Sequence, residues 1–111
     1  MDLSFASRKL KKQMEDDKEM QRAFGKDRAK PLRRRLRTLA QAPTLADVPS
    51  GPPDRCHALT GDRAGQIAVT VKENWRLIFE PDHDPVPLKP DGGFDLAAIT
   101  AVCIIEVVDY H

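Results

Sequence analysis

Aromatic side chains are scarce in this sequence, at 5% of 111 residues. That excludes an extended base-stacking platform, which needs several of them, and leaves the core to Leu, Val, Ile and Ala. Cysteine is scarcer still. Cys56 and Cys103 are too few for a disulfide scaffold, and their spacing fits no common zinc motif. Both sit in apolar, strand-like stretches and read as buried free thiols. No apolar run approaches the length that spans a bilayer, and the first ten residues lack the apolar centre of a signal peptide. The expected compartment is therefore the cytoplasm, with no membrane partner.

What is present suits one domain covering residues 1–111. The length leaves no room for a second core, and 41% hydrophobic residues are too many for a disordered chain. The formal net charge of +1 hides a division. Residues 7–38 hold 13 of the 18 Lys and Arg but only 5 of the 17 Asp and Glu. The remainder is correspondingly acidic. Such a split implies an anionic partner for one part of the surface.

The periodicity is helical first and alternating later. Residues 3–5 suit a short opening strand. A helix follows, capped by Ser4 or Ser7, with Leu10, Met14, Met20 and Phe24 near one face and Gly25 as its stop. A second helix has Asp27 as a cap and Pro31 in its first turn. Its stripe of Leu32, Leu36 and Leu39 is surrounded by Arg33, Arg34, Arg35 and Arg37. Together, residues of about 7–40 predict a helical hairpin. Thr44 can cap one short turn, and residues 49–53 (Pro-Ser-Gly-Pro-Pro) mark a linker.

Strands are expected in residues 54–111. Residues 55–59 form a short candidate before a turn at 60–65. Ile67, Val69 and Val71 alternate with Ala68 and Thr70. Glu73-Asn74 suits a tight hairpin turn, after which Trp75, Leu77 and Phe79 point one way and Arg76 and Ile78 the other. Residues 81–93 should be a loop, long enough to count with its continuation to 98 as an insertion. Residues 99–108 are apolar on both faces, as a covered central strand requires. Helices followed by an antiparallel sheet make an α+β protein.

Several residues stand out chemically. Arg76 lies in an otherwise apolar strand and must find an anion, either a phosphate or an internal carboxylate, or stay at the sheet surface. Asp109, Tyr110 and His111 follow the strongest strand, where they are either a polar tail or a proton-transfer set on a rigid base. His57 is either a half-buried strand histidine or a functional one. His83, between Asp82 and Asp84, is too weak a pattern for a metal site. Gly61 and Gly65 lack the Lys-Ser/Thr ending of a P-loop. The basic segment 26–37 is either a phosphate-binding face or a solvated one.

Three blocks, in order, resemble the HigB family of toxins within the RelE/ParE superfamily. They are Gly61-Asp62-Arg63-Ala64-Gly65-Gln66, Asn74-Trp75-Arg76, and Glu106-Val107-Val108-Asp109-Tyr110-His111. Pro52-Pro53-Asp54-Arg55 and Ala58-Leu59 also look like that family. The resemblance is strong over 51–79 and 102–111 and general over the helical half. It implies a RelE-like fold, an N-terminal helical hairpin on a twisted, mainly antiparallel sheet. It also implies a type II toxin–antitoxin pair, with a helix-turn-helix, HigA-like antitoxin that carries the toxin to operator DNA.

The implied activity is ribosome-dependent mRNA cleavage by 2′-OH attack on the adjacent phosphate, with no metal or other cofactor. His57, Arg76, Asp109, Tyr110 and His111 fall on the family's functional positions. Arg76 would stabilise charge, His111 or His57 would move protons, and Asp109 and Tyr110 would orient RNA or share that work. Arg33, Arg34, Arg37, Arg63 and Lys72 are the expected RNA or ribosome contacts. Two departures stand out: Thr60 where family members often carry Lys, and the longer acidic stretch 81–98. The latter offers a shield for the cleft, an antitoxin contact or altered ribosome docking. The competing functions are a superfamily toxin that blocks a target such as gyrase without cleavage, and a weakened toxin serving mainly as co-repressor.

Overall fold

The computed structural model describes residues 1–109. It opens on strand β1 (Asp2–Phe5), the expected short strand. Helix α1 (Arg8–Glu15) then starts from Ser7, whose hydroxyl accepts the Leu10 N–H at 3.0 Å.

The first helix does not run on to Gly25 as its periodicity predicts. Asp16 takes an extended backbone and does two jobs. Its N–H closes α1 on the Lys12 carbonyl. Its carboxylate accepts the N–H groups of Lys18 and Glu19, which opens α2 (Asp17–Phe24). A strong N-cap residue has thus overridden a continuous apolar period. The break still leaves Leu10, Met14 and Met20 all buried.

Gly25, at φ 84°, leads directly into α3 (Lys26–Gln41). The left-handed value is one that Gly adopts without a Cβ penalty. The helix therefore begins before the expected Asp27 cap, which lies in its first turn, and Pro31 falls inside it. Pro31 costs the Asp27 carbonyl its intrahelical partner. The stripe on α3 also differs from expectation. Ala29, Pro31, Leu32 and Leu39 are buried and Arg35 is buried with them, while Leu36 is half-buried. The hairpin is thus three helices, its first arm split in two. Among the described residues no helix is long and apolar enough to cross a membrane.

A short 3-10 turn (Leu45–Asp47) follows, capped as expected by Thr44, which bonds reciprocally with Asp47. The remaining strands are β2 (His57–Ala58), β3 (Ile67–Lys72), β4 (Trp75–Pro81) and β5 (Ala101–Asp109). The sheet order is β1-β5-β4-β3-β2. β1 runs parallel to β5 and every other pair is antiparallel. This is the α+β, mainly antiparallel architecture expected.

The helices cover one face. Val69, Leu77, Phe79, Val102 and Ile104 meet Leu32 and Leu39 in the main core. The other face carries a smaller cluster of Leu59, Ala68 and Ile78, flanked by Ile105 and Val108. The free thiols of Cys56 and Cys103 are half-buried rather than buried.

The stretch after β4 is folded. Leu88 and Phe94 form an antiparallel bridge, closed by hydrogen bonds between Lys89 and Gly93 and between Gly92 and Lys89. A 3-10 turn (Leu96–Ala98) leads into β5. His83 Nε2 accepts the Thr100 N–H at 3.0 Å, so that nitrogen already has a donor.

Candidate functional site

Alternation along the strands decides which side chains can meet. Arg76 pairs across the sheet with Thr70 on β3 and Val108 on β5. His57 pairs with Ala68, and Ala68 with Ile78, two residues beyond Arg76. Residues opposite one another, or two apart, share a face. Arg76 and His57 therefore both lie on the face away from the helices. Strand spacing and rise put their Cα atoms on the order of 12 Å apart.

Arg76 is half-buried. One terminal nitrogen of its guanidinium donates to the Glu73 carbonyl at 2.6 Å, with a longer contact to the Trp75 carbonyl at 3.3 Å. No carboxylate pairs with it among the described residues. The internal ion pair is absent there, and other N–H donors of the fork remain for an anion or for water at the sheet surface. The turn that Arg76 grips is itself strained, with Glu73 at φ 54°. Glu side chains rarely adopt that region.

His57 is exposed, and its Nδ1 lies 2.8 Å from the Arg55 carbonyl. A carbonyl only accepts, so this bond puts the proton on Nδ1. Nε2 is then the basic nitrogen, the state a proton acceptor needs.

Asp109 is exposed and pairs with Trp75. That register sets it on the helix-covered side, opposite to Arg76. Trp75 packs against the main core, with the Arg28 guanidinium 4.1 Å from its ring centre. Tyr110 and His111 lie outside the described residues.

The expected RNA contacts divide among different places. Arg34 and Lys72 line one groove of about 450 Å³, with Lys26, Lys30 and a single acid, Asp27. Arg33 instead meets Asp17 at 3.3 Å. Arg37 borders a separate groove beside Leu3, Phe5 and Leu36. Arg63 is bound to Glu106 at 2.9 Å and to Gln66 at 2.9 Å. Lys26 and Lys30 belong to the basic segment 26–37 but are not singled out among the contacts expected from the sequence. Their spacing with Arg34 is i, i+4, i+8, which defines one helix face.

Sequence reading missed a buried pair beneath that groove. Arg35 approaches Asp54 at 3.5 Å, each about one-tenth exposed. Arg35 Nε donates to the Thr70 carbonyl at 2.7 Å, and the Thr70 N–H donates to the Asp54 carbonyl at 2.8 Å. The pair ties α3, the segment before β2 and β3 together. A signal existed: Arg35 sits three residues after Leu32 and four before Leu39, inside the apolar stripe. Nearby, the Cys56 thiol is pushed up to about 11, first by burial and then by the Asp54 carboxylate.

A family model described as RelE-like toxin of type II toxin-antitoxin system HigB matches residues 3–86. The match takes in the helical half, where the resemblance of motifs is only general, and ends before the stretch 102–111. No curated protein matches the chain at a significant level.

Proposed function

The chain belongs to the HigB-like toxin family, the RelE-like toxins of type II toxin–antitoxin systems, and from that premise we propose that it is a ribosome-dependent endoribonuclease. Membership makes an antitoxin its partner. We identify that partner as a helix-turn-helix, HigA-like protein, through which the toxin reaches operator DNA. Residues 1–111 act as one toxin domain with an insertion at 81–98. The pairing of β1 with β5 supports that reading, since it joins the two ends of the sequence in one sheet.

The observation that carries the activity is the guanidinium of Arg76. It lies on the face away from the helices with N–H donors left over and no carboxylate beside it among the described residues. A fixed cation of that kind suits the charge that builds on a phosphate under attack. The RNA 2′-OH gives its proton to a base and its oxygen bonds to phosphorus. The P–O5′ bond breaks, and an acid protonates the leaving oxygen. The products are a cyclic phosphate and a 5′-OH. The guanidinium supplies the positive charge, so the step needs no metal ion.

Proton transfer falls to His111 and His57, the latter supported by its Nδ1 bond. Asp109 and Tyr110 orient the RNA or share the proton work, Asp109 from the end of β5, where its register turns it to the side opposite Arg76. Arg34 and Lys72, with Arg33, Arg37 and Arg63, contact ribosome or mRNA.

The test is induced expression in cells, followed by mapping of mRNA 5′ ends. Codon-phased cuts that vanish in Arg76→Ala are expected. Intact mRNA together with damaged DNA would replace this reading with a gyrase-blocking toxin.

A further inference from the structure

The family match stops at residue 86, so the hairpin around Leu88 and Phe94 lies beyond what it describes. With β2 that segment borders a half-open cavity of about 170 Å³. Ala58, Ile67, Phe94 and Leu96 supply apolar wall, and His57 and Lys89 supply the polar side chains. An apolar cavity of about 150 Å³ takes one benzene ring. This one therefore suits a single heteroaromatic ring and is too small for a drug-sized ligand.

An apolar slot with a cation beside it suits a nucleobase joined to its phosphate. Phe94 offers a ring for stacking. The Lys89 ammonium has only a loose contact with Asp91, 3.8 Å at an exposed position. Such a contact is weak and screened, and Lys89 can turn from it to a phosphate. The backbone of Gly93 is already engaged, by the Asp91 carboxylate and the Lys89 N–H. Selection in this slot thus works by ring size and stacking more than by hydrogen bonds to base edges. His57 links the slot to the face that holds Arg76.

We propose that this cavity is a subsite for one nucleobase of the RNA, with Lys89 on the phosphate of that nucleotide. The segment around Phe94 then sets which nucleotide stands beside the cleaved bond. The inference rests on the ribonuclease reading for its consequence, but the binding itself can be measured without cleavage.

The full chain, labelled with ¹⁵N, is titrated with the four nucleoside monophosphates. Saturable shifts at Ala58, Gly93 and Phe94, unequal among the four bases, are expected. Lys89→Glu should weaken binding roughly tenfold, the loss of one charge-assisted contact. Phe94→Ala should erase the preference among bases. Phe94 also packs on the main core, so if that variant fails to fold, Leu96→Asp at an exposed wall decides instead. Absence of shifts, or full-strength binding by Lys89→Glu, overturns the subsite.

Mapped mRNA ends separate the two ideas. If the parent cuts and Leu96→Asp keeps the same nucleotides at its cuts, the subsite is wrong and the ribonuclease stands. If nucleotides bind in the cavity and no mRNA is cut, the ribonuclease reading fails and the subsite stands.

Discussion

Arg35 and Asp54 face each other 3.5 Å apart in the interior, where neither has much water. Removing one partner leaves the other charge buried. Asp54→Ala or Arg35→Ala should therefore each destabilise the fold by about 3–5 kcal/mol. Arg35→Met with Asp54→Leu should cost much less than the two alanine changes together. Urea unfolding of the parent, the two alanine variants and their double-alanine combination closes a double-mutant cycle, with Arg35→Met/Asp54→Leu measured beside it. Equal and additive losses would mean that the two residues do not act as a pair.

Arg76 makes the opposite case, a cation whose fold contacts are two backbone carbonyls. Arg76→Ala should cut cleavage by about 10²–10³-fold, the usual loss for one transition-state donor. Its unfolding midpoint should move little. Arg76→Lys keeps the charge and loses the planar fork, and it should recover only a fraction of the activity. Cleavage kinetics on programmed ribosomes, with thermal melts alongside, test both halves. Full activity in Arg76→Ala would remove it from the chemistry.

The groove of Lys26, Lys30, Arg34 and Lys72 should respond to salt. Each cation that neutralises a phosphate contributes a slope of about one in log affinity against log salt. Lys30→Gln with Arg34→Gln should thus flatten the salt dependence of ribosome binding by about two. Co-sedimentation at several KCl concentrations measures it. An unchanged slope would place the nucleic-acid contact elsewhere.

Cys56 carries a pH prediction. Its pKa is raised from 9.0 to about 11, so the folded state holds the thiol proton more tightly than the unfolded chain does. The resulting stabilisation is complete below about pH 9 and is lost as pH rises through about 11. Near pH 8 the thiolate fraction should be about a hundredfold below that of an unperturbed thiol. Iodoacetamide labelling, read by mass spectrometry, should be slow in the native protein and fast in urea. Rapid native labelling at pH 8 would contradict the raised value.

The sequence reading succeeded where one period dominates, and it located the strands around Val69, Leu77 and Ile104. It failed where two local preferences compete. Asp16 lies in a helical pattern but satisfies two N–H groups as a cap, and the cap prevailed. Pro31 suggested a helix start, yet Gly25 sets the start earlier. The site was legible as residue types in family order. Their division between faces was not, because strand pairing and register determine it. Asp109 lies in the same motif as the neighbours of Arg76, but its pairing with Trp75 turns it to the other side. Arg63 reads as a surface cation until the fold brings Glu106 to it across the sheet.

The parallel pairing of Asp2 with Ala101 has a consequence for synthesis. The partner of the first strand is made after every other strand of the sheet, and it also fills the gap between β1 and β4. Contacts so distant in sequence form late and slowly. A nascent chain must carry its basic helices and an open sheet edge until β5 arrives. The sheet thus closes only once β5 has been made, and a messenger cut before the codons of β5 leaves β1 and β4 without the strand that joins them.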